Sequence, residues 1–145
     1  FGKSKINYVC NLHEQAASVC AEAYAQYTNS PSLCLVTTGP GSTNTLTGVA
    51  SAWLDSIPII IISGQVQRKD MKQNKAVRQI GFQEIDIVSI VEPITKYATT
   101  VLDPDDIRYT LEKAYYLAST GRQGPVWIDI PLDIQSAHVN ENAMV

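Results

Sequence analysis

A doubly wound α/β domain, with a mostly parallel sheet and helices on both faces, is the fold this sequence predicts. Three observations lead there. Short apolar runs alternate with segments of helical periodicity along most of the chain. The run Ile57 to Ser63 is apolar and β-branched almost throughout, as in a central parallel strand covered on both faces. And Thr37-Thr38-Gly39-Pro40-Gly41-Ser42-Thr43-Asn44 joins an apolar run, Leu33 to Val36, to a helix-like segment from about Thr45 to Trp53. Strand, glycine turn and helix start, in that order, present backbone to a ligand at the end of a parallel sheet.

Each element has its own signal. Ile6 to Cys10 alternates in part and reads as a strand. Asn11 is placed as an N-cap with Glu14 three residues on, the pattern of a capping box. Leu12, Ala16, Val19, Cys20, Ala23 and Tyr27 recur at helical spacing and predict a helix from Leu12 to Tyr27. Asn29-Ser30-Pro31-Ser32 is a turn, and Leu33 to Val36 a buried strand. In the glycine turn, Gly39 and Gly41 allow positive φ and leave no Cβ in the way, while Pro40 stiffens it. Ser42, Thr43 and Asn44 are all suited to capping the next helix. Asp55-Ser56 ends that helix, and Gly64 closes the strand that follows.

Gln65 to Gly81 is polar and irregular and carries Arg68, Lys69, Lys72, Lys75 and Arg78. Such a stretch is more often a solvated loop than an anion site. Gln83 to Val91 predicts a short helix, and Ile94 to Val101 a strand. Asp103-Pro104-Asp105-Asp106 starts a helix whose apolar face is Ile107, Leu111, Ala114, Tyr115 and Ala118. Gly121 and Gly124-Pro125 stop it, and Val126 to Ile130 is the last strand. Residues 1–134 are read as one domain that lacks its extreme N-terminal element. Residues 135–145 are read as a loose tail or the start of a linker.

At 145 residues, 45% hydrophobic and 17% charged, the composition is that of a globular domain with a sizeable core. A net charge of −3 gives no electrostatic case for nucleic acid or a membrane surface. The Ile57 to Ile62 run is far too short to span a bilayer. Cys10, Cys20 and Cys34 show no metal-ligand spacing. Reduced thiols, with Cys10 and Cys34 buried, point to a cytoplasmic protein.

Among residues that carry chemistry, Glu14 is either a helix-start carboxylate or a group aimed at a ligand nitrogen. In an apolar cleft it would have a raised pKa and could share a proton. His13 beside it has no nucleophile at a recognisable spacing and reads as structural. The glycine turn lacks the lysine of a phosphate-binding loop and the third glycine of a dinucleotide fingerprint. Asp129 and Asp133 have no His or carboxylate cluster near them. They read as capping or turn residues, and no metal site is expected in this chain.

The order of several motifs is more specific than any one. Asn11-Leu12-His13-Glu14-Gln15-Ala16-Ala17, Thr38 through Asn44, Ala52-Trp53-Leu54-Asp55-Ser56-Ile57-Pro58 and Ser63-Gly64-Gln65 follow one another. Phe82-Gln83-Glu84, Ile94-Thr95-Lys96, Gly121-Arg122-Gln123-Gly124-Pro125-Val126 and Asp129-Ile130-Pro131 continue the series. From about Ile6 to Asp133 the chain resembles the N-terminal, pyrimidine-binding domain of thiamine-diphosphate-dependent enzymes, above all those of the acetolactate synthase type. The resemblance implies a transferase that decarboxylates a 2-keto acid and adds the fragment to a second carbonyl compound. It puts the family glutamate, which hydrogen-bonds N1′ of the aminopyrimidine, at Glu14. It places Thr38, Gly39, Pro40 and Asn44 on the turn that approaches the pyrimidine. Gln83 falls near the reacting carbon, with Phe82 beside the substrate and Lys96 at its entrance. It further implies a homodimer or homotetramer with the cofactor shared between subunits. Mg2+ would be bound through a domain outside this chain, and FAD is possible but unsupported by any residue here. The alternative is a stand-alone binding or assembly module, or one half of a split-subunit 2-keto acid decarboxylase.

Overall fold

The structure, a computed structural model, describes residues 5–72 and 76–139. Lys75 and the last six residues of the tail lie outside them. The main elements are α1 (Glu14–Thr28), β1 (Ser32–Val36), α2 (Pro40–Thr43), α3 (Leu46–Asp55), β2 (Ile59–Gln65), α4 (Ile87–Val91), β3 (Tyr97–Thr100), α5 (Ile107–Ser119), β4 (Val126–Pro131) and α6 (Leu132–Gln135). The strands form a four-stranded sheet in the order β1-β2-β4-β3, and every pairing is parallel. The chain steps from β1 to β2 and on to the far edge at β3, then returns to place β4 between them. Parallel crossovers are right-handed, so reversing direction moves the crossover helix to the opposite face. Accordingly α3 and α4 pack with α1 on one face, against Cys34, Val36, Ile59, Ile61 and Trp127. Helices α5 and α6 pack on the other, against Ile60, Val126 and Ile128. The predicted α/β sheet with helices on both faces is thus the observed one.

Several local expectations differ. Ile6 to Cys10 is not a strand. It lies outside the sheet with Ile6, Tyr8 and Val9 exposed, because a short β-favouring run pairs only where a sheet edge receives it. Cys10 is therefore exposed, as is Cys20, while Cys34 is buried, which pushes its thiol up to about 11. The predicted helix starts at Glu14 and not Leu12, and its apolar stripe faces outward: Leu12 before it, and Val19 and Tyr27 on it, are exposed, while Ser18, Ala21, Glu22 and Ala25 are buried instead. The same holds in part for α5, which buries Thr110, Ala114 and Ala118 but exposes Leu111 and Tyr115. Small residues win these buried positions because the helices approach closely. Strand β2 starts two residues late, after Pro58, and α4 begins only at Ile87, where Asp86 caps it by accepting from Ser89 N. Strand β3 starts only at Tyr97 and ends at Thr100.

Helices α1 and α3 approach each other closely. A Cβ on Gly48 would lie 2.4 Å from Ser18 Oγ and 3.0 Å from the Ser18 backbone carbon. Glu22 is buried in the same contact and accepts from Ser51 Oγ at 2.7 Å. Gly48→Ala is expected to force the two helices apart and destabilise the fold by about 1–3 kcal/mol, despite the higher helix propensity of Ala. Urea denaturation checks this, and an unchanged midpoint would mean that α1 does not depend on that contact for its place.

Candidate functional site

The sheet's C-terminal edge gathers the site. Strand β1 ends at Val36 and the chain turns through Thr37, Thr38 and Gly39 directly into α2, earlier than the sequence indicates. Gly39 is the N-cap, at φ 60 and ψ −123, a conformation open essentially to glycine. A Cβ there would also lie 2.3 Å from the carbonyl oxygen of Gln83. Gly39 therefore serves both the turn and the seating of the Gln83 loop on it. Gly41 is buried inside α2 without positive φ. It is needed for close approach alone, since a Cβ would lie 2.6 Å from Thr37 Cγ2 and 3.7 Å from Glu14 Oε1. Pro40 is the first residue of α2, where its missing N–H costs nothing. Ser42, Thr43 and Asn44 do not cap α3; Thr45 precedes it. Ser42 Oγ instead donates to Thr37 O at 2.6 Å, tightening the turn on itself.

Asn44 reaches across to α1. Its Nδ2 donates to Glu14 Oε2 at 3.0 Å. Glu14 is the first residue of its helix and not the third, so the expected capping box with Asn11 is absent. His13 is the N-cap, and its Nδ1 accepts from Gln15 N at 3.1 Å. His13 is thus structural, as its isolation in the sequence indicates. The Glu14 carboxyl sits below its ordinary range, first because Asn44 donates to it and then through its own backbone N–H. The raised pKa expected of an apolar cleft does not appear, because this carboxylate is open to solvent and stabilised by donors.

The loop after Ile80 forms the other side. Gln83 has φ 57, unusual for a residue with a side chain, and is exposed. Phe82 beside it is 81% exposed. Glu84 fastens the loop by accepting from Ile80 N at 2.9 Å and from Lys72 N. The structure thus brings together Glu14, Thr38, Gly39, Pro40, Asn44, Gln83 and Phe82. It does not bring Lys96 to them. Lys96 precedes β3, at the opposite edge of the parallel sheet. Its Nζ donates to the carbonyls of Leu117 and of Thr120, the latter at 2.7 Å, so it caps the C-terminal end of α5. Partial burial lowers its pKa.

Sequence reasoning missed two residues behind the turn. Asp129, read as a capping or turn residue, lies in β4 and is 1% exposed. It accepts from Ser63 Oγ at 2.6 Å, from Gln65 Nε2 at 3.0 Å and from Thr100 Oγ1 at 3.5 Å. Gln65, at the end of β2, carries the connection on to Thr38, whose Oγ1 donates to Gln65 Oε1 at 3.1 Å. The available signal was a carboxylate at an inward position of an otherwise apolar run, in register with Ser63. Asp133 is different: it is paired with Arg68 at 2.6 Å near the surface. Among the described residues no three His, Cys, Asp or Glu side chains are grouped to hold a metal ion.

Two outcomes follow from this geometry. Gly39→Ala should destabilise the fold by about 1–3 kcal/mol through strain, and move the Gln83 loop off the turn. A denaturation midpoint equal to wild type would show that the turn relaxes without cost. Burial is the main cause of the raised pKa of Asp129, about 6 against an ordinary 3.8, with Asp86 adding repulsion and its hydrogen bonds opposing. Between those values the folded state holds a proton that the unfolded state has lost. Stability from this group therefore falls as pH rises from about 4 to about 6 and stays low above. The total is about 3 kcal/mol. Comparing wild type with Asp129→Asn between pH 4 and 7 isolates it. The variant should lack that decline, and parallel curves would assign the pKa elsewhere.

Residues 1–90 match the family model described as thiamine pyrophosphate enzyme, N-terminal TPP binding domain. The acetolactate synthase large subunit of Cyanidium caldarium is 44% identical over 132 residues, covering 91% of this chain and 22% of that protein. The chloroplastic acetolactate synthase of Arabidopsis thaliana is 44% identical over 135 residues, 91% of this chain and 19% of that protein. The acetolactate synthase large subunit of Corynebacterium glutamicum is 41% identical over 140 residues, 97% and 21% of the two chains. The chain thus spans about a fifth of the length of the curated relatives it matches. By these matches the chain belongs to the thiamine pyrophosphate enzymes, of which it is the N-terminal, cofactor-binding domain.

Proposed function

We propose that this chain forms the pyrimidine side of the cofactor site in an acetolactate synthase-type carboligase, converting two molecules of pyruvate to 2-acetolactate and CO2. The observation that carries the reading is the Glu14 carboxylate, fixed by Asn44 at the first turn of α1 beside Gly41. A carboxylate so placed fits the ring nitrogen N1′ of an aminopyrimidine, because it can hold a proton there. The turn fits a flat ring: Gly39 and Gly41 let it pack tightly on Gln83 and Thr37, and Pro40 between them is held at the surface. When bound, thiamine diphosphate supplies the electron sink for decarboxylation of a 2-keto acid. The chain's own share is to bind and orient the pyrimidine through Thr38, Gly39, Pro40 and Asn44, and to place Gln83 and Phe82 on the substrate side. On this reading Mg2+ and the diphosphate are held by another domain. FAD has no assigned residue here.

The exposed Leu12, just before α1, and Val19, Tyr24 and Tyr27 of α1 suit burial against another domain or subunit, in keeping with a homodimer or homotetramer that shares the cofactor. Among the described residues no helix is long and apolar enough to cross a membrane, and the three free cysteines fit a reducing, cytoplasmic setting. Residues 1–134 are taken as the domain and 135–145 as the way out of it.

Glu14→Gln in the full-length protein tests the reading. Gln keeps the size and the helix position but cannot hold the ring proton as a carboxylate does. Exchange of the C2 proton of bound thiamine diphosphate, followed by NMR, should slow by on the order of a hundredfold or more, with thermal stability nearly unchanged. Wild-type exchange would remove Glu14 from that role.

A further inference from the structure

Gln65 closes β2 with only 5% of its surface exposed. Its amide offers two N–H donors and two acceptor lone pairs, and all four are used. Nε2 donates to Ile85 O at 2.9 Å and to Asp129 Oδ2 at 3.0 Å. Oε1 accepts from Val66 N at 2.9 Å and from Thr38 Oγ1 at 3.1 Å. Three of these partners have no choice. A carbonyl and a carboxylate accept, and a backbone N–H donates. The amide therefore has one orientation, where an isolated Gln would have two. Thr38 must then spend its single hydroxyl hydrogen on Gln65. What it has left for a ligand is lone pairs, so it meets a donor and repels an acceptor.

The same amide links the two sides of the candidate site. Thr38 belongs to the glycine turn, and Ile85 to the loop that carries Phe82 and Gln83. Asp129 sits beneath, held by Ser63, which in turn accepts from the indole N–H of Trp127 at 2.8 Å. Asp129, Ser63 and Trp127 are at most 1% exposed. The network is thus part of the core that ends at the site.

We propose that Gln65, anchored by the buried Asp129 carboxylate, is a positioning residue of the cofactor site: it ties the glycine turn to the Gln83 loop and fixes the Thr38 hydroxyl as acceptor for an N–H of the bound cofactor ring. The inference rests on the reading that this domain binds the aminopyrimidine of thiamine diphosphate, and adds a specific polarity to it.

The test uses the full-length protein, with thiamine diphosphate titrated at fixed Mg2+. Binding is read from intrinsic fluorescence, and the thermal midpoint of the cofactor-free protein is read separately. Gln65→Leu should weaken binding by about tenfold or more, the scale of a lost hydrogen bond to a charged group plus a misplaced turn. Thr38→Val in the otherwise native protein should weaken it by roughly fivefold, the scale of one hydrogen bond. Added to Gln65→Leu it should change little more, because the acceptor is already misplaced. Full multiplication of the two effects overturns the proposal. So does a lowered thermal midpoint with unchanged affinity, which marks a structural role alone. If Gln65→Leu does not fold, the pair Thr38→Ser and Thr38→Val decides, because Ser keeps the hydroxyl whose hydrogen goes to Gln65 and Val removes it. Native-like affinity in Thr38→Ser with a loss in Thr38→Val upholds the proposal, and equal affinity in the two overturns it. Failure of the native protein itself to bind thiamine diphosphate would instead remove the functional reading beneath it.

Discussion

A carboxylate buried at the centre of a sheet has to find donors, and at Asp129 that requirement organises one end of the molecule. Strands β2 and β4 are the inner strands, covered on both faces, and Ser63 stands opposite Asp129 in their register. An unpaired charge there would cost several kcal/mol. The available donors are the side chains of the same sheet face: Ser63 from β2, Thr100 from β3 and Gln65 from the end of β2. Gln65 has capacity left over after serving Asp129, and that surplus fastens the turn after β1 and the loop before α4. The polar core, the turn after β1 and the loop before α4 are thus one hydrogen-bonded structure. Its apolar counterpart, the isoleucine-rich half of β2, only needs to be filled.

Close approach does the remaining work, and three small residues permit it. Gly48 lets α3 lie on Ser18 of α1, which sets the distance between the two helix starts. Asn44 and Glu14 can then meet, although they are separated by thirty positions. Gly39 receives the Gln83 carbonyl, and Gly41 leaves room for Thr37 and Glu14. Each contact involves backbone or a short side chain, so a larger residue has nowhere to move. The candidate site is therefore bordered by closely packed chain at Gly39 and Gly41.

Much of this was legible in the sequence. The glycine turn, the parallel sheet and the helices on both faces follow from Gly39-Pro40-Gly41 and the β-branched run of β2. Glu14 and Asn44 were singled out, though not their contact, which depends on the α1–α3 crossing. What misled was the assumption that an apolar stripe faces the core. In α1 the stripe is exposed, because Ser18, Ala21 and Ala25 give the closer fit against α3 and β1. Periodicity identifies a face and is silent about which neighbour covers it. Asp129 was read as a capping or turn residue for a related reason: its partners come from three strands, and no local spacing announces them. Lys96 followed the motif order into the site, yet the strand direction takes it to the other edge.

The exposed stripe and the low pKa of Glu14 express one condition. In this chain the carboxylate is solvated and paired with Asn44, so it is ionised and holds no proton at neutral pH. Sharing a proton with a ring nitrogen requires that water be excluded, and desolvation moves a carboxyl upward. Nothing on α1 itself supplies that cover. Leu12, two residues before Glu14 in the chain, lies bare. A surface that buries it also closes over the first turn of α1. On the proposed reading, the docking that hides the stripe is what shifts Glu14 from a solvated helix-start carboxylate to a proton-holding group. Assembly and activation of the cofactor site are then a single desolvation event, with Asn44 keeping the carboxylate oriented before and after it.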